Sequence, residues 1–399
     1  MAQSFLKRCF GLGASAAPAA TTCSATPEKS AVRALPASWY TSVEMYELEK
    51  RAIFSKKWLL TTHQARLQKA GDWLKYEIAN FELVIAKDEN NNINAFHNIT
   101  RFGAFPIVAP EQGDNGDAST GFDQTQNGLL PIHVKVDARG FIWINMDGAK
   151  VPEVAWEDDF DNLDTHERFS YYNFDDYNFD HVWEMEGDYN WKILADNYNE
   201  CYHCKVAHPD IPTIADLNSY WVETQKSYIQ HFGAQRQDQI DRGFRIAVTY
   251  YLPNASTNIS PHFFMIQRFV PHSPTRSTMR YEFFRNKHSS DDDFTLITEL
   301  YKRVMSEDKY LCANAQKNVN AGVFINGEMH PEMEQGPLFF QQNIREQLQN
   351  HHKKEQALGK EIWPAQQAAP ETTISTKANG GVNYSSGTDY RPAQKAIVV

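Results

Sequence analysis

Cysteine is scarce in this 399-residue chain: Cys9, Cys23, Cys201, Cys204 and Cys312 are the whole complement. An odd, sparse set of this kind excludes a disulfide-stapled scaffold and points to a reducing compartment. Long apolar runs are missing as well. No stretch approaches the ~20 residues that a membrane-spanning helix needs, and no apolar segment of signal-peptide length is present, which argues against a membrane role and against secretion. The third absence is an excess of positive charge. Lys and Arg number 39 against 50 Asp and Glu, a net charge of −11. With no basic stripe to neutralise phosphates, a nucleic-acid partner is excluded. No internal repeat is visible.

What the chain does have is bulk. Apolar residues at 42% and aromatics at 13% supply core and pocket material. The length exceeds one minimal core, so one large domain or two packed together is expected. Met1–Thr26 carries Lys7 and Arg8, many Ala, Ser and Thr, and no acid before Glu28. That is the composition of a mitochondrial presequence, but an unstructured arm is the plain alternative, because Pro18 and small residues resist helix formation. The expected location is cytoplasmic, with mitochondrial as the alternative.

Ordered structure is expected from Leu35-Pro36, leaving residues 1–34 as a flexible arm. Val43–Trp58 spaces Met45, Leu48, Ile53 and Trp58 as an amphipathic helix does. From Asp72 the period changes. Trp73, Tyr76 and Ile78 begin a strand, and FELVIAKDENNNINAFHNI reads as two strands about a turn at Asp88. Ile132–Val136 and Phe141–Asn145 form a hairpin around Asp137 and Gly140. The intervening APEQGDNGDASTGFDQTQNG reads as loop. Acidic Val151–Asp180 reads as a solvated interdomain surface. Asp188 or Asn190 caps a helix through WKILADNYNECYHC. Strands are expected over Phe244–Leu252, His262–Val270 and Thr278–Arg285, and Asp291–Asp293 cap a long helix carrying Leu296, Leu300, Val304 and Leu311. After Pro364 the residues read as a disordered or draped tail. This order predicts an α+β fold, with a small antiparallel β domain over 35–150, a helix-and-sheet domain over 151–350 and an extension over 351–399.

One stretch concentrates chemistry: DNYNECYHCKVAHPD, Asp196–Asp210. A redox Cys201-x-x-Cys204 pair would sit at a helix N-terminus, where the dipole lowers a thiol pKa, whereas this pair falls at the far end of the expected helix. A structural zinc site would need a second such pair or finger-spaced histidines. Two buried, inert thiols are therefore the expected state. His203 and His208 do not superpose on an ideal helix, but they converge if His203 lies in a last turn and the chain bends before Pro209. Two imidazoles and one carboxylate on one face form the facial triad of non-haem Fe(II), with positions left open for other ligands. On spacing alone, a metal and a pair of ordinary histidines both stay open. Tyr250, Tyr251, Phe263 and Phe264 lie on strands that could line a pocket for a quaternary amine, although plain core is the simpler reading.

The run GDYNWKILADNYNECYHCKVAHPD (Gly187–Asp210) closely resembles the catalytic iron segment of the Rieske non-haem iron oxygenases, the choline monooxygenase-like branch above all. LPASWYTSVEMYELEKRAIFSKKWLL (Leu35–Leu60) is similar to the family's N-terminal opening, and NGLLPIHVKVDARGFIWINMDG (Asn127–Gly148) to the exit of its Rieske domain. The resemblance covers most of residues 35–350. It implies a Rieske-type β domain followed by a helix-grip-like catalytic domain. It implies that His203 and His208 ligate mononuclear Fe(II), with Asp308, in SEDKYLCANAQKNV, as the third ligand. Glu200 matches the carboxylate that links the iron site of one subunit to the cluster of the next, and Asn197 falls beside it as a catalytic candidate. A homotrimer, O₂ as co-substrate and a small organic substrate also follow from the resemblance.

The cluster segment departs from the family. The resemblance implies Cys-x-His and Cys-x-x-His ligands for a [2Fe–2S] centre, but Thr100 and Phe102 stand where the first pair belongs, and Ala109–Asn127 has neither cysteine nor histidine. A hydroxyl is a poor ligand for such a centre and a phenyl ring has no lone pair, so no [2Fe–2S] cluster is expected. Three functions then stay open. The first is an iron oxygenase fed electrons by its substrate, by an external reductase or by a cluster-bearing paralogue. The second is a metal-dependent hydrolase or lyase on the same His-His-Asp site. The third is a non-catalytic subunit paired with an active paralogue.

Overall fold

The computed structural model describes residues 33–101, 104–109, 111–113, 128–235, 237 and 245–367. The N-terminal arm, Phe102, most of the Gly/Asp/Gln-rich loop and the tail after residue 367 lie outside the described residues.

Helix α1 (Val43–Glu49) starts where the Ser42 side chain accepts from Met45 N and passes into a π-helical turn, Lys50–Phe54. The helix expected to reach Trp58 stops here for a tertiary reason. Lys57 Nζ lies 2.7 Å from Asp159 Oδ1, and Trp58 Nε1 donates to Val154 O at 2.8 Å. Those contacts draw the chain out of helix and into the first strand.

The first sheet is antiparallel. Its strands are β1 (Leu59–His63), β2 (Trp73–Ile78), β3 (Phe81–Lys87), β4 (Ile93–His97), β5 (Gln112–Gly113), β6 (Pro131–Val136) and β7 (Phe141–Asn145), in the order β1-β7-β6-β4-β3-β2-β5. The β6–β7 hairpin pairs Val136 with Ile142 and Val134 with Ile144, as the turn at Asp137 and Gly140 requires. Two-residue β5 pairs with Trp73 and Leu74 inside a segment expected to be loop. Its two residues carry no strand period, so the sequence gives it no signal.

The second sheet holds β8 (Tyr177–Gly187), β9 (Ala215–Gln225), β10 (Tyr228–Gln235), β11 (Ala247–Tyr251), β12 (Ala255–Ile259), β13 (Phe263–Ser273) and β14 (Arg276–Asn286), in the order β8-β14-β13-β12-β11-β10-β9. Both faces of this sheet are covered. Tyr251, Phe264, Ile266 and Phe284 pack on one side against Leu60, Phe141 and Trp143 of the first sheet. Tyr250, Phe263, Met265, Tyr281 and Phe283 face the helices on the other. The four aromatics weighed as a pocket lining are therefore split between two faces. Double burial also explains why β13 is inaccessible over nine consecutive residues and shows no alternation.

The acidic stretch after residue 150 is not merely a solvated surface. Helix α2 (Trp156–Phe160) and its continuation bury Trp156, Phe160, Leu163, Phe169, Tyr172, Phe174 and Tyr177 between the sheets. The acids mostly point out, except Asp159, which Lys57 and Ser227 hold. Burial of these rings at about 25 cal/mol per Å² outweighs the cost of ordering an otherwise charged segment.

Among the described residues five further helices follow: α3 (Trp191–Tyr198), α4 (Cys204–Ala207), α5 (Ile211–Ile214), α6 (Asp291–Asn320) and α7 (Gln335–Leu358). The cap of α6 is Ser290, which accepts from Asp293 N, and the three expected capping acids occupy its first turn, where the helix dipole favours them. Helix α6 lies against the second sheet, with the Tyr301 ring 5.5 Å from that of Phe263. Helix α7 runs past residue 350 to Leu358, and the following segment returns to the first sheet, where Gly148 N donates to Pro364 O at 2.7 Å. Helix α3 is pinned from both sides. Buried Lys192 Nζ lies 2.5 Å from buried Glu49 Oε1, and Asp196 accepts from Tyr40 OH at 2.7 Å and Gln341 Nε2 at 2.9 Å.

Candidate metal centre

Asn190 begins α3 by accepting from Lys192 N, and the helix ends at Tyr198, earlier than the WKILADNYNECYHC run suggests. The chain then turns, and Cys204 opens the short α4. His203 and His208 flank that helix. Asp308 arrives from the middle of α6, a hundred residues later. Three side-chain atoms meet there. His203 Nε2 lies 3.2 Å from His208 Nε2, and Asp308 Oδ1 is 3.4 Å from the former and 3.1 Å from the latter. Ligands at about 2.0–2.2 Å from one metal ion stand roughly 3.0–3.5 Å apart, so this spacing suits a single cation. The donor set is two imidazole nitrogens and one carboxylate oxygen, which suits iron or zinc and leaves coordination positions unfilled.

Each ligand candidate is held from behind. His203 Nδ1 is 2.5 Å from Glu200 Oε1, and Glu200 Oε2 also accepts from Tyr202 N at 2.7 Å. His208 Nδ1 is 2.8 Å from Glu307 Oε2. A carboxylate at Nδ1 keeps the proton there and presents Nε2 as the lone-pair donor. Asn197 Nδ2 donates to Asp308 Oδ1 at 2.8 Å, fixing the oxygen that faces both histidines. Burial disfavours charge on His203, but Asp308 and Glu200 outweigh it and lift the imidazole to about 9. The same contacts hold Asp308 below the ordinary carboxylate range against the effect of its burial. Without a cation the two imidazoles are thus biased toward holding protons that a cation would displace, while Asp308 stays a carboxylate.

Sequence reasoning placed five of these residues and missed Glu307. Its only signal is adjacency to Asp308 in Ser306-Glu307-Asp308. A second correction concerns the cysteines. Cys201 and Cys204 are not separate inert thiols: with Cα atoms 5.0 Å apart, their sulfurs are joined. A single turn closed by Cys204 N donating to Cys201 O at 3.2 Å brings them together. Of the positions read as vacated cluster ligands, Thr100 closes a turn in which its N donates to Phe105 O and its Oγ1 accepts from Phe105 N; Phe102 lies outside the described residues.

Next to Asp308 lies a polar patch on the helix-facing side of the second sheet. Register places His231, Val248, Asn258, Met265 and Phe283 in one row across it, with Tyr250, Gln267 and Tyr281 in the adjacent row. The Tyr198 ring sits over His231, Tyr250 and Phe269 at 5.5–5.8 Å. Tyr220 OH is 2.8 Å from His231 Nδ1, and Asn258 Nδ2 donates to Tyr301 OH at 2.6 Å. Buried His231 Nε2, Asn258 Oδ1, Gln267 Oε1 and Tyr281 OH have no hydrogen-bond partner among the described residues. Such groups cost about 1–3 kcal/mol each when left unpaired. Burial, reinforced by Arg168, pushes His231 down to about 3, so it stands as a neutral imidazole near pH 7.

Residues 174–350 match the family model described as ring hydroxylating alpha subunit (catalytic domain). The chain is 24% identical over 320 residues to the carnitine monooxygenase oxygenase subunit of Acinetobacter baumannii, spanning 72% of this chain and 85% of that one. It is 22% identical over 343 residues to the chloroplastic choline monooxygenase of Beta vulgaris, spanning 79% and 77%. The fold matches a solved quaternary ammonium Rieske monooxygenase, studied for carnitine oxidation by gut microbiota and inter-subunit electron transfer, with a TM-score of 0.69 at 20% identity over 79% of this chain and 96% of that one. A two-sheet α+β architecture with a long helix against the second sheet is thus the architecture of Rieske oxygenases. Residues 174–350 thus match a ring-hydroxylating alpha subunit catalytic domain, and the chain is similar to carnitine and choline monooxygenases. Among the described residues, no helix is long and apolar enough to cross a membrane.

Proposed function

We propose that this protein is a mononuclear non-haem iron oxygenase of a small organic substrate, holding Fe(II) through His203 Nε2, His208 Nε2 and Asp308 Oδ1. The convergence of these three atoms within 3.4 Å of one another supports the reading above all else. A ferrous ion bound there would supply the activation of O₂. The chain does the remaining work. Glu200 and Glu307 fix the histidine tautomers, and Asn197 orients Asp308. The unpaired atoms of His231, Asn258, Gln267 and Tyr281 orient the substrate, and the surrounding rings exclude water. Carnitine and choline are the compounds in the relatives' names, and a polar molecule of that size is the substrate class proposed.

The proposal includes the absence of a [2Fe–2S] centre, supported by Thr100 and Phe102 at the first ligand positions and by the lack of cysteine and histidine in 109–127. Electrons then come from outside the chain, through an external reductase or a cluster-bearing paralogue. The proposed domains follow the sheets: a cluster-free β domain to about residue 150 and the iron domain after it. The proposed assembly is a homotrimer with its contact near Glu200. A 290 Å³ cavity lined by Asn197, Glu200, Tyr202, Phe324 and Glu334 supports this, as does exposure of Tyr202 and Ile325 beside it (49% and 74%).

The test is reconstitution of purified protein with Fe(II), metal and sulfide analysis, and exposure to nitric oxide. One iron per chain, an Fe–NO signal and no labile sulfide are expected, with iron lost in His203→Ala, His208→Ala and Asp308→Ala. Two sulfides per chain would overturn the cluster-free reading. Zinc that Fe(II) cannot displace would favour a hydrolase or lyase, and absence of any metal a non-catalytic subunit. Light scattering gives the assembly, and a monomer would end the ring.

A further inference from the structure

Cys201 and Cys204 bracket Tyr202 and His203, and a disulfide joins them. Cys204 Sγ lies 3.9 Å from His203 Nε2, the nitrogen that also faces His208 and Asp308. The sulfur and the ligand nitrogens of His203 and His208 all lie within 4.8 Å of one another. A metal bound at about 2.1 Å to nitrogen and about 2.3 Å to thiolate sets the two ligand atoms roughly 3.6 Å apart in tetrahedral geometry. The Cys204 sulfur thus stands about 0.3 Å beyond that separation from His203 Nε2, in the same cluster as His208. In the disulfide its sulfur carries no thiolate charge and is a poor ligand.

We propose that Cys204 is a latent fourth metal ligand, masked by Cys201 and released when the disulfide is reduced, which converts the open His-His-Asp site into a closed His-His-Asp-Cys site selective for a soft divalent cation such as zinc. The proposal rests on the metal site put forward above. A thiolate shifts preference from iron toward zinc, and four protein ligands around a tetrahedral ion leave no position for a small molecule. The redox step balances with a dithiol as reductant. The Cys201–Cys204 bond breaks, both cysteines take up one electron and one proton, and the dithiol closes its own disulfide. Metal capture then releases the Cys204 proton to solvent.

The chemistry of the pair has two consequences. While oxidised, it guards the oxygenase form of the site. Once reduced, it exposes the centre to zinc capture, so the thiol–disulfide balance around the protein sets the fraction of chains able to hold iron.

Cobalt(II) is a spectroscopic stand-in for zinc, and the full chain is the sample. Under argon, the oxidised protein should bind cobalt without an intense near-ultraviolet thiolate-to-cobalt band. After a phosphine reductant the band should appear, and zinc affinity should rise at least tenfold relative to Fe(II) affinity. Cys201→Ser should show the band without reductant. Cys204→Ser should bind cobalt in both conditions and never show it. Cobalt bound by the reduced protein without a thiolate band would overturn the proposal and leave the His-His-Asp reading standing. Free thiols at both positions in air-equilibrated protein, by mass spectrometry of alkylated peptides, would also overturn it. Failure to bind cobalt in either state would overturn the metal reading itself.

Discussion

His208 Nδ1 lies 2.8 Å from Glu307 Oε2, and the next residue, Asp308, points its Oδ1 at the other nitrogen of the same ring, 3.1 Å away. Two consecutive side chains of α6 thus address opposite nitrogens of one imidazole. One supplies a candidate ligand and the other sets the tautomer that would make His208 a ligand.

Glu307→Gln keeps the shape but loses the charge at His208 Nδ1. Metal affinity should fall about 10–100-fold with little change in thermal stability, because Glu307 is partly exposed. Competition against a fluorescent chelator measures this. Unchanged affinity would remove Glu307 from the positioning set.

The pH response of the metal-free protein follows from His203, whose folded pKa is lifted from 6.5 to about 9, against the pull of burial, by Asp308 and Glu200. A raised base contributes stability that is fully present below pH 6.5 and lost as pH rises through about 9. Melting temperature of metal-free protein should therefore drop across that window. Metal affinity should climb in the same interval, by up to tenfold per pH unit, because binding displaces one proton from His203. Asp308→Asn should flatten both curves.

Arg51 Nε and Nη2 lie 2.6 and 3.1 Å from the two oxygens of Glu355, tying the N-terminal helical segment to the end of α7 in a buried pair. Burial works against the charge of Glu355, but His351 and Arg51 overcome it and bring the carboxyl from 4.5 to about 2. A depressed acid contributes stability above pH 4.5 that is lost as pH falls through about 2. Glu355→Gln leaves buried Arg51 with only the half-exposed Glu361, 3.4 Å from its Nη1, and should cost up to about 3 kcal/mol near neutral pH. Denaturant titration should find the variant and the native chain converging in stability toward pH 2.

Gly336, at the start of α7, permits a close approach. A Cβ there would stand 2.2 Å from the backbone oxygen of Asn199, one residue before Glu200. Gly336→Ala should cost about 1–3 kcal/mol as backbone is forced apart, and should weaken metal binding by displacing Glu200 from His203. Gly233→Ala, where nothing lies within 4 Å of the added atom, is the control expected to leave metal binding unchanged. Both follow from calorimetry and metal titration.

Much of the site was legible in the chain order. The helix begun by Asn190, the bend before Pro209 and the β6–β7 hairpin depend on caps, proline and turn residues acting over a few positions, so the sequence alone determined them. The family resemblance of Gly187–Asp210 and Ser306–Val319 added His203, His208, Asp308, Asn197 and Glu200. Other features are decided only by the tertiary structure. Glu307 becomes a partner of His208 because α6 packs beside α4, bringing together residues 99 positions apart. Helix α3 ends at Tyr198, a boundary its helical pattern does not mark, and Cys201 meets Cys204 in the separate turn that follows. The acidic stretch after residue 150 becomes core because two sheets close over its rings. Tyr250 and Tyr251 are adjacent in sequence yet serve opposite faces, one toward the metal side and one toward the first sheet. Hydrophobic period and capping are local properties of a chain, whereas which charge faces which imidazole depends on contacts that exist only once distant elements have packed.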